Sequence, residues 1–252
     1  MLQQMIDGVG SKIFGKDAYQ YWQYKRAKKI SRRYGYEIYK SHLIWLKDPQ
    51  YLAILEKVSQ RNITGIPNDR CYTLVEFCRQ IKEVPGNIAE CGSRFGKSSL
   101  FILNSFGLDS DKKMHIFDSF EGISKPNERD LDTAGKTVWE SGELAVGEDI
   151  LHRNLEDFKG RFTTYKGWIP ERFSKVEDER FCFVHIDVDL YDPTRDSINF
   201  FYPRLNQGAI MLCDDYGSGY CPGAKAAFDE FFADKPEKVI SLSTGQCVVI
   251  KQ

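Results

Sequence analysis

The 252 residues are enough to bury a full core, as one large domain or as a domain with an appendage. Lys plus Arg, 35, nearly balance Asp plus Glu, 36, so no charge excess advertises a nucleic-acid or membrane partner. No apolar run is long enough to span a membrane and no basic-then-apolar leader opens the chain, so the cytoplasm is the expected compartment.

In chain order, residues 1–16 show no periodicity and read as a loose start. Asp17 to Tyr34 reads as a helix with an apolar stripe and a basic face. Solvation is the default for that face, with a contact in a homodimer as the second reading. Tyr36 to Leu46 reads as another short helix, ended near Asp48-Pro49. Asn68 or Asp69 would cap a helix running to about Val84, with Cys71, Leu74, Val75, Phe77, Cys78 and Ile81 on its apolar stripe. The expected boundary lies here: an N-terminal helical extension over 1–67, then the main domain over 68–252.

The stretch Gly86 to Ser99, G-N-I-A-E-C-G-S-R-F-G-K-S-S, is the one around which the rest is organised. A short apolar run closes on Glu90, a glycine turn follows, and a helix-like run begins. Gly92 would allow the tight turn, and Gly96 would let the turn pass close to a bound group. Loop amides at the helix N-terminus would favour an anion. Gly96-Lys97-Ser98 imitates the end of a phosphate-wrapping loop, but that loop is one residue short of G-x-x-x-x-G-K-[ST]. The competing reading is the first loop of a class I S-adenosylmethionine-dependent methyltransferase. The plain alternative is a turn with no ligand.

Beyond this point strand-like runs (Ile88–Cys91, Met114–Phe117, Phe162–Lys166, Phe181–Ile186, Ala209–Cys213) alternate with helical ones (Lys97–Phe106, Gly147–Phe158, Thr194–Phe201, Gly223–Phe232). Alternation of this kind predicts a parallel sheet with helices on both faces. The last strand pair flanks Ser243-Thr244-Gly245 with no room for a crossover, which predicts an antiparallel hairpin. Glu121 to Val146 is a long polar insertion, read as a mobile substrate lid or as disorder. The seven cysteines form no C-x-x-C pair and read as small buried thiols rather than as disulfides or zinc ligands.

Three strand ends carry acid. Asp118 closes the second strand at a distance from Gly92 comparable with the roughly 20-residue spacing of a ribose-binding acid. Val184-His185-Ile186-Asp187-Val188-Asp189 and Ile210-Met211-Leu212-Cys213-Asp214-Asp215 end alike. If their strands are neighbours, Asp187, Asp214 and Asp215 meet at the C-terminal edge and make an all-oxygen site suited to Mg2+ or a similar divalent cation. Packed together without a cation, these acids would repel. The second acid run also imitates the acid-ended strand of a nucleotide triphosphatase, which keeps that reading as runner-up. A non-catalytic binding module of the same fold is a third.

E-C-G-S-R-F-G, F-D-S-F-E-G, Y-K-G-W, I-D-V-D-L-Y and Y-P-R-L-N-Q-G-A-I-M-L-C-D-D-Y-G-S together resemble the macrocin (mycinamicin) O-methyltransferase family, from about Pro85 to the C-terminus. The resemblance implies a Rossmann-like α/β class I methyltransferase fold, a mostly parallel seven-stranded sheet with a C-terminal antiparallel hairpin, to which the helical runs read above add N-terminal helices. It implies S-adenosylmethionine and Mg2+ as cofactors, and a small hydroxylated substrate, typically a natural-product sugar. By this resemblance Glu90, Gly92 and Ser93 would hold the methionine part of the cofactor. Asp118 would hold the ribose with Ser119 beside it, and Gly167-Trp168 would border the adenine. Gly96 and Ser98 complete the cofactor set, which also takes in Asp187. Asp187, Asp214 and Asp215 would bind the metal. Many relatives read D-G-D where this chain has Asp187-Val188-Asp189, and neither the insertion nor the first 80 residues match. The catalytic candidates are Asp187, Asp189 and Tyr191; for removal of the hydroxyl proton they are Asp189, Tyr191 and His152. His42, His115 and His185 read as structural.

Overall fold

The computed structural model describes residues 16–35 and 44–252. The loose start and most of the Tyr36–Leu46 helix, with His42, lie outside the described residues. Cα packing divides the chain into two compact units, Met1–Leu52 and Ala53–Gln252. In the first, helix α1 (Lys16–Arg32) carries Trp22 and Ile30 exposed, with the Arg26 guanidinium 5.6 Å from the Trp22 ring centroid. A short 3-10 turn covers Ile44–Lys47. Helix α2 (Pro49–Gln60) spans the division.

The second unit holds α3 (Asn68–Gln80), β1 (Asn87–Cys91), α4 (Lys97–Phe106), β2 (Met114–Asp118), α5 (Glu148–Asn154), β3 (Phe162–Lys166), β4 (Phe181–Ile186), α6 (Tyr191–Phe201), β5 (Leu205–Cys213), α7 (Pro222–Phe232), β6 (Ile240–Ser241) and β7 (Cys247–Ile250). The seven strands form one sheet in the order β3-β2-β1-β4-β5-β7-β6. All pairs are parallel except β5 with β7 and β6 with β7. This is the class I methyltransferase architecture with its closing hairpin.

Burial explains why these runs are strands. Every residue of β4 is buried, as parallel strands covered on both faces require. On one face α6 and α7 press an aromatic cluster against the sheet. Phe201 meets Phe117, Phe173 and Phe181 at centroid distances of 5.0–5.8 Å. The cysteines of this unit are all buried and unpaired.

Element ends differ from the expected ones in four main places, the first being β5, which begins at Leu205 rather than Ala209. Pro67, not Asn68 or Asp69, is the N-cap of α3, without a side-chain bond, and the helix stops at Gln80. The expected helix over 147–158 breaks after Asn154 into a 3-10 turn. Helix α6 begins at Tyr191, three residues early, because an acceptor from the insertion caps it.

Register fixes the site. Cys91 lies opposite Phe117 on one side and Ile186 on the other, and Ile186 lies opposite Cys213. Their successors Gly92, Asp118, Asp187 and Asp214 therefore emerge at one edge. The strand order reverses between β1 and β4, and such a switch point opens a crevice at the C-terminal edge.

Candidate functional site

A cavity of about 410 Å³ occupies that crevice. Gly92 turns at φ +79°, and a Cβ there would lie 1.9 Å from the Asp187 carbonyl oxygen. Glycine is thus required by the neighbouring strand end as much as by any ligand. The Asp118 carboxylate accepts from three backbone amides, those of Ser93 (2.8 Å), Arg94 (3.0 Å) and Phe120 (2.7 Å). It staples the glycine loop to β2. The amides expected to receive an anionic ligand are partly spent on it: Oδ2 takes the Ser93 and Arg94 amides, while Oδ1, with the Phe120 amide, keeps a further lone pair. Gly96 caps α4 at φ +77°, and a Cβ there would meet Leu151 and Leu155. It faces α5 rather than the cavity, and the expected approach to a bound group does not occur there.

Gly92, Ser93, Ser98, Asp118, Ser119 and Trp168 line the cavity, as do Asp187, Asp189, Asp214 and Asp215. Glu90, Gly96, Gly167 and Tyr191 do not. Glu90 is fully buried one layer below, where it accepts the Ser99 hydroxyl and faces His185 Nδ1 at 3.0 Å. The Gly167 amide donates to the Asp118 carbonyl at 3.1 Å and so sets the loop that carries Trp168. Tyr191 points away, its hydroxyl donating to Glu230 at 2.7 Å. His152 is exposed on α5, 3.1 Å from the Thr164 hydroxyl. Of the catalytic candidates Asp187 and Asp189 face the cavity, and of those for the proton only Asp189 does.

One carboxylate oxygen from each of Asp187, Asp214 and Asp215 falls within 4.8 Å of the others. Their environments differ. Burial pushes Asp187 and Asp215 well above the usual carboxylate range, and their acidic neighbours push them further. Asp214 goes the other way: burial opposes ionisation, but His185 and Arg70 outweigh it. Arg70 Nη1 donates to Asp214 Oδ2 at 2.5 Å, and Gln246 Nε2 donates to Oδ1 at 2.8 Å. Among the described residues no side chain donates to the Asp187 carboxylate. His185 lies between Glu90 and Asp214, its Nε2 3.7 Å from Asp214 Oδ1. Burial would lower it, yet the two carboxylates hold it at about 10. The chain thus supplies its own cations, Arg70 and His185, to acids that seemed from sequence to need an external one.

Asp189 sits at φ +61°, its amide donating to Asp215 Oδ2 at 3.0 Å. Its carboxylate accepts the Cys221 thiol at 3.5 Å, and burial raises it to about 6.

Sequence reasoning missed Arg70, Gln246 and Lys97 as parts of this site. Arg70 and Gln246 lie far from Asp214 along the chain, and no local pattern announces such pairs. Only the runner-up nucleotide triphosphatase reading would put Lys97 on a phosphate. Its ammonium instead donates to the Ile66 carbonyl (2.6 Å) and to Asn68 Oδ1 (3.0 Å), tying α4 to the rim segment Gly65–Pro67.

The insertion is ordered rather than loose. Ile123 and Gly142 close its base, with Ile123 N to Glu143 O at 2.8 Å and Gly142 N to Ile123 O at 2.9 Å. The Trp139 indole donates to the Tyr220 carbonyl at 3.1 Å. Gly122, Ile123, Ser124, Leu144 and Val146, at its two ends, line the cavity.

The sequence profile of a family described as Macrocin-O-methyltransferase (TylF) matches residues 59–240. The 8-demethyl-8-(2,3-dimethoxy-alpha-L-rhamnosyl)-tetracenomycin-C 4'-O-methyltransferase of Streptomyces olivaceus is 30% identical over 151 residues, covering 56% of this chain and 57% of that protein. The demethyldecarbamoylnovobiocin O-methyltransferase of Streptomyces niveus is 28% identical over 160 residues, covering 60% and 59%. The match thus spans about three fifths of the length of these curated relatives. The solved structure of the O-methyltransferase NovP superposes with a TM-score of 0.62 at 23% identity, covering 75% of this chain and 82% of that one.

Proposed function

The chain belongs to the macrocin-O-methyltransferase family, whose profile spans most of it, and from that premise we propose that it transfers a methyl group from S-adenosylmethionine to a hydroxyl of a small molecule. The acceptor we propose is a sugar or diol of a natural product, in keeping with the rhamnosyl compound named for one relative. A divalent cation, Mg2+ or similar, assists at the acids.

One juxtaposition supports this reading most. The glycine loop with Asp118, and the acids Asp187, Asp189, Asp214 and Asp215, open into the same cavity. The residues fit the cofactor. Gly92 leaves the loop bare of a side chain, Asp118 Oδ1 keeps acceptor capacity for a ribose hydroxyl, and Phe117, Trp168 and Ile169 offer apolar surface for an adenine. When bound, its sulfonium supplies an electrophilic methyl group. The acids fit a hard cation too: all donors are oxygens, and burial with the neighbouring acids opposes ionisation of Asp187 and Asp215, which a bound cation would favour. Such an ion lowers the pKa of an oxygen held on it.

The chain's own residues do the rest. Asp189 faces the cavity on an arm fixed to Asp215, placed to accept the hydroxyl proton. Asp214 is kept ionised by Arg70 and His185, which fixes its orientation. The apolar lining limits water around the reacting groups. The nucleotide triphosphatase reading lacks support, because Lys97 is committed to Ile66 and Asn68.

Calorimetry with S-adenosylhomocysteine should give a saturable heat, and none at millimolar ligand would sink the proposal. Methyl transfer across a panel of hydroxylated sugars should fall at least a hundredfold in Asp214→Asn. Full turnover of wild type in a chelator would remove the metal from the scheme. Cofactor binding without product on any acceptor would point to the binding module.

A further inference from the structure

The two acid-bearing arms each run into a helix. Asp187–Asp189 leads into α6 through Leu190, and Asp214–Asp215 leads, by way of Cys221, into α7. The N-termini of these helices converge on one side chain that belongs to neither arm. Asp130, in a short 3-10 turn of the insertion, is 2% exposed. Its Oδ1 accepts the Tyr191 amide, the first of α6, at 2.7 Å. A Cβ at Gly223, in the first turn of α7, would lie 2.1 Å from that same oxygen and 2.8 Å from the Tyr191 nitrogen. Glycine is the residue that lets α7 come this close. The other oxygen accepts the Asn127 amide at 2.9 Å, while Asn127 Oδ1 accepts the Arg129 amide at 2.7 Å. This reciprocal box fixes the aspartate. Asn127 Nδ2 also donates to Asp192 on α6 at 2.7 Å. A carboxylate buried against two helix N-termini is favoured by both dipoles.

We propose that Asp130 is a positioning residue for the proposed reaction: it clamps the starts of α6 and α7 together and so holds the Asp187–Asp189 and Asp214–Asp215 arms at their working separation. The insertion is on this account a structural member of the acid site. Its link to the metal rests on the preceding reading, whereas the clamp itself does not. The arms touch each other directly through the Asp189 amide on Asp215 and the Cys221 thiol on Asp189. Those contacts persist only while the helix starts behind them stay put. The glycine loop and Asp118 hang from β1 and β2, and Asp130 makes no bond to them.

The test compares Asp130→Ala, Asp130→Asn and wild type as full chains by three readouts. Amide hydrogen exchange should speed up about tenfold in peptides covering 187–193 and 214–223 of the Ala variant, and stay unchanged in 88–98. Mn2+ affinity, read by electron paramagnetic resonance, should fall about tenfold, with affinity for S-adenosylhomocysteine within about twofold of wild type. Asn keeps an acceptor for the Tyr191 amide but turns its NH2 on the Asn127 amide, and should recover part of both losses. Faster exchange confined to 123–142 with both arms unchanged would overturn the clamp, as would equal weakening of Mn2+ and S-adenosylhomocysteine. If wild type binds no Mn2+, the metal reading fails, and the exchange pattern alone decides the role of Asp130. Should the Ala variant not fold, Asn127→Ala opens the box and should give the same split at smaller amplitude.

Discussion

A single added methyl group would disable the switch point. Ala at Gly92 would drive its Cβ against the Asp187 carbonyl at a backbone angle that side chains avoid. Gly92→Ala should cost about 1–3 kcal/mol, the range for overpacking, and should abolish S-adenosylhomocysteine binding. Urea unfolding and calorimetry check the two parts. Glu90 makes the opposite point. The family resemblance implies a cofactor ligand there, but its register turns it inward, onto Ser99 and His185. Glu90→Ala leaves a buried imidazolium with half its compensation and should cost about 3–5 kcal/mol, whereas Gln, which keeps a hydrogen-bonding group there, should cost less. Denaturant midpoints of both variants decide it. Acids at strand ends are visible in a sequence; whether an acid one residue before the end faces the cavity or the layer below is decided by pleat and packing. The same limit hid Arg70, whose guanidinium finds its partners, Asp214 and the Thr244 carbonyl, far along the chain.

At the scale of elements, period and punctuation carried most of the fold. The parallel strands and the closing hairpin were legible because alternating runs and a turn too short for a crossover leave one topology. The insertion was not legible. Its polar composition resembles that of mobile loops, yet what orders it is long-range: Trp139 on Tyr220, Asp130 on Tyr191, Asn127 on Asp192. Trp139 packs against the main core as well. Trp139→Ala should therefore release the segment. Limited proteolysis should cut between 123 and 142 roughly tenfold faster than in wild type, a change equivalent to about 1.4 kcal/mol of local opening. An unchanged cleavage rate would mean that the base pairing at Ile123 and Gly142 suffices alone.

For the whole molecule, acid stability reports on a contact far from the cavity. Glu237 is buried, which opposes its ionisation, but the Tyr202 hydroxyl (2.6 Å) and the Lys251 ammonium (2.9 Å) outweigh burial and hold it at about 2. Its folded pKa lies below the ordinary value of 4.5. The stability it adds is therefore complete above that value and is lost as pH falls from about 4.5 towards 2. Glu237→Gln should lower stability at neutral pH by about 2 kcal/mol and flatten the acid limb across that window, as measured by urea melts at stepped pH. Ligand linkage gives a second global readout. S-adenosylhomocysteine at 100 times its Kd should stabilise the fold by about 2.7 kcal/mol, a shift that Gly92→Ala should erase.

Lys97 carries a consequence for traffic through the cavity mouth. Its ammonium lashes the Gly65–Pro67 rim to α4. Swinging that rim outward breaks the bond to the Ile66 carbonyl and leaves the ammonium to Asn68, a loss of about 1.5–3 kcal/mol for a hydrogen bond to a charged group. Leu144 and Val146, which also line the cavity, belong to the insertion that the backbone bonds of Ile123 and Gly142 hold at its base. The residue that imitates a nucleotide grip therefore works as a doorpost for the Gly65–Pro67 side of the cavity.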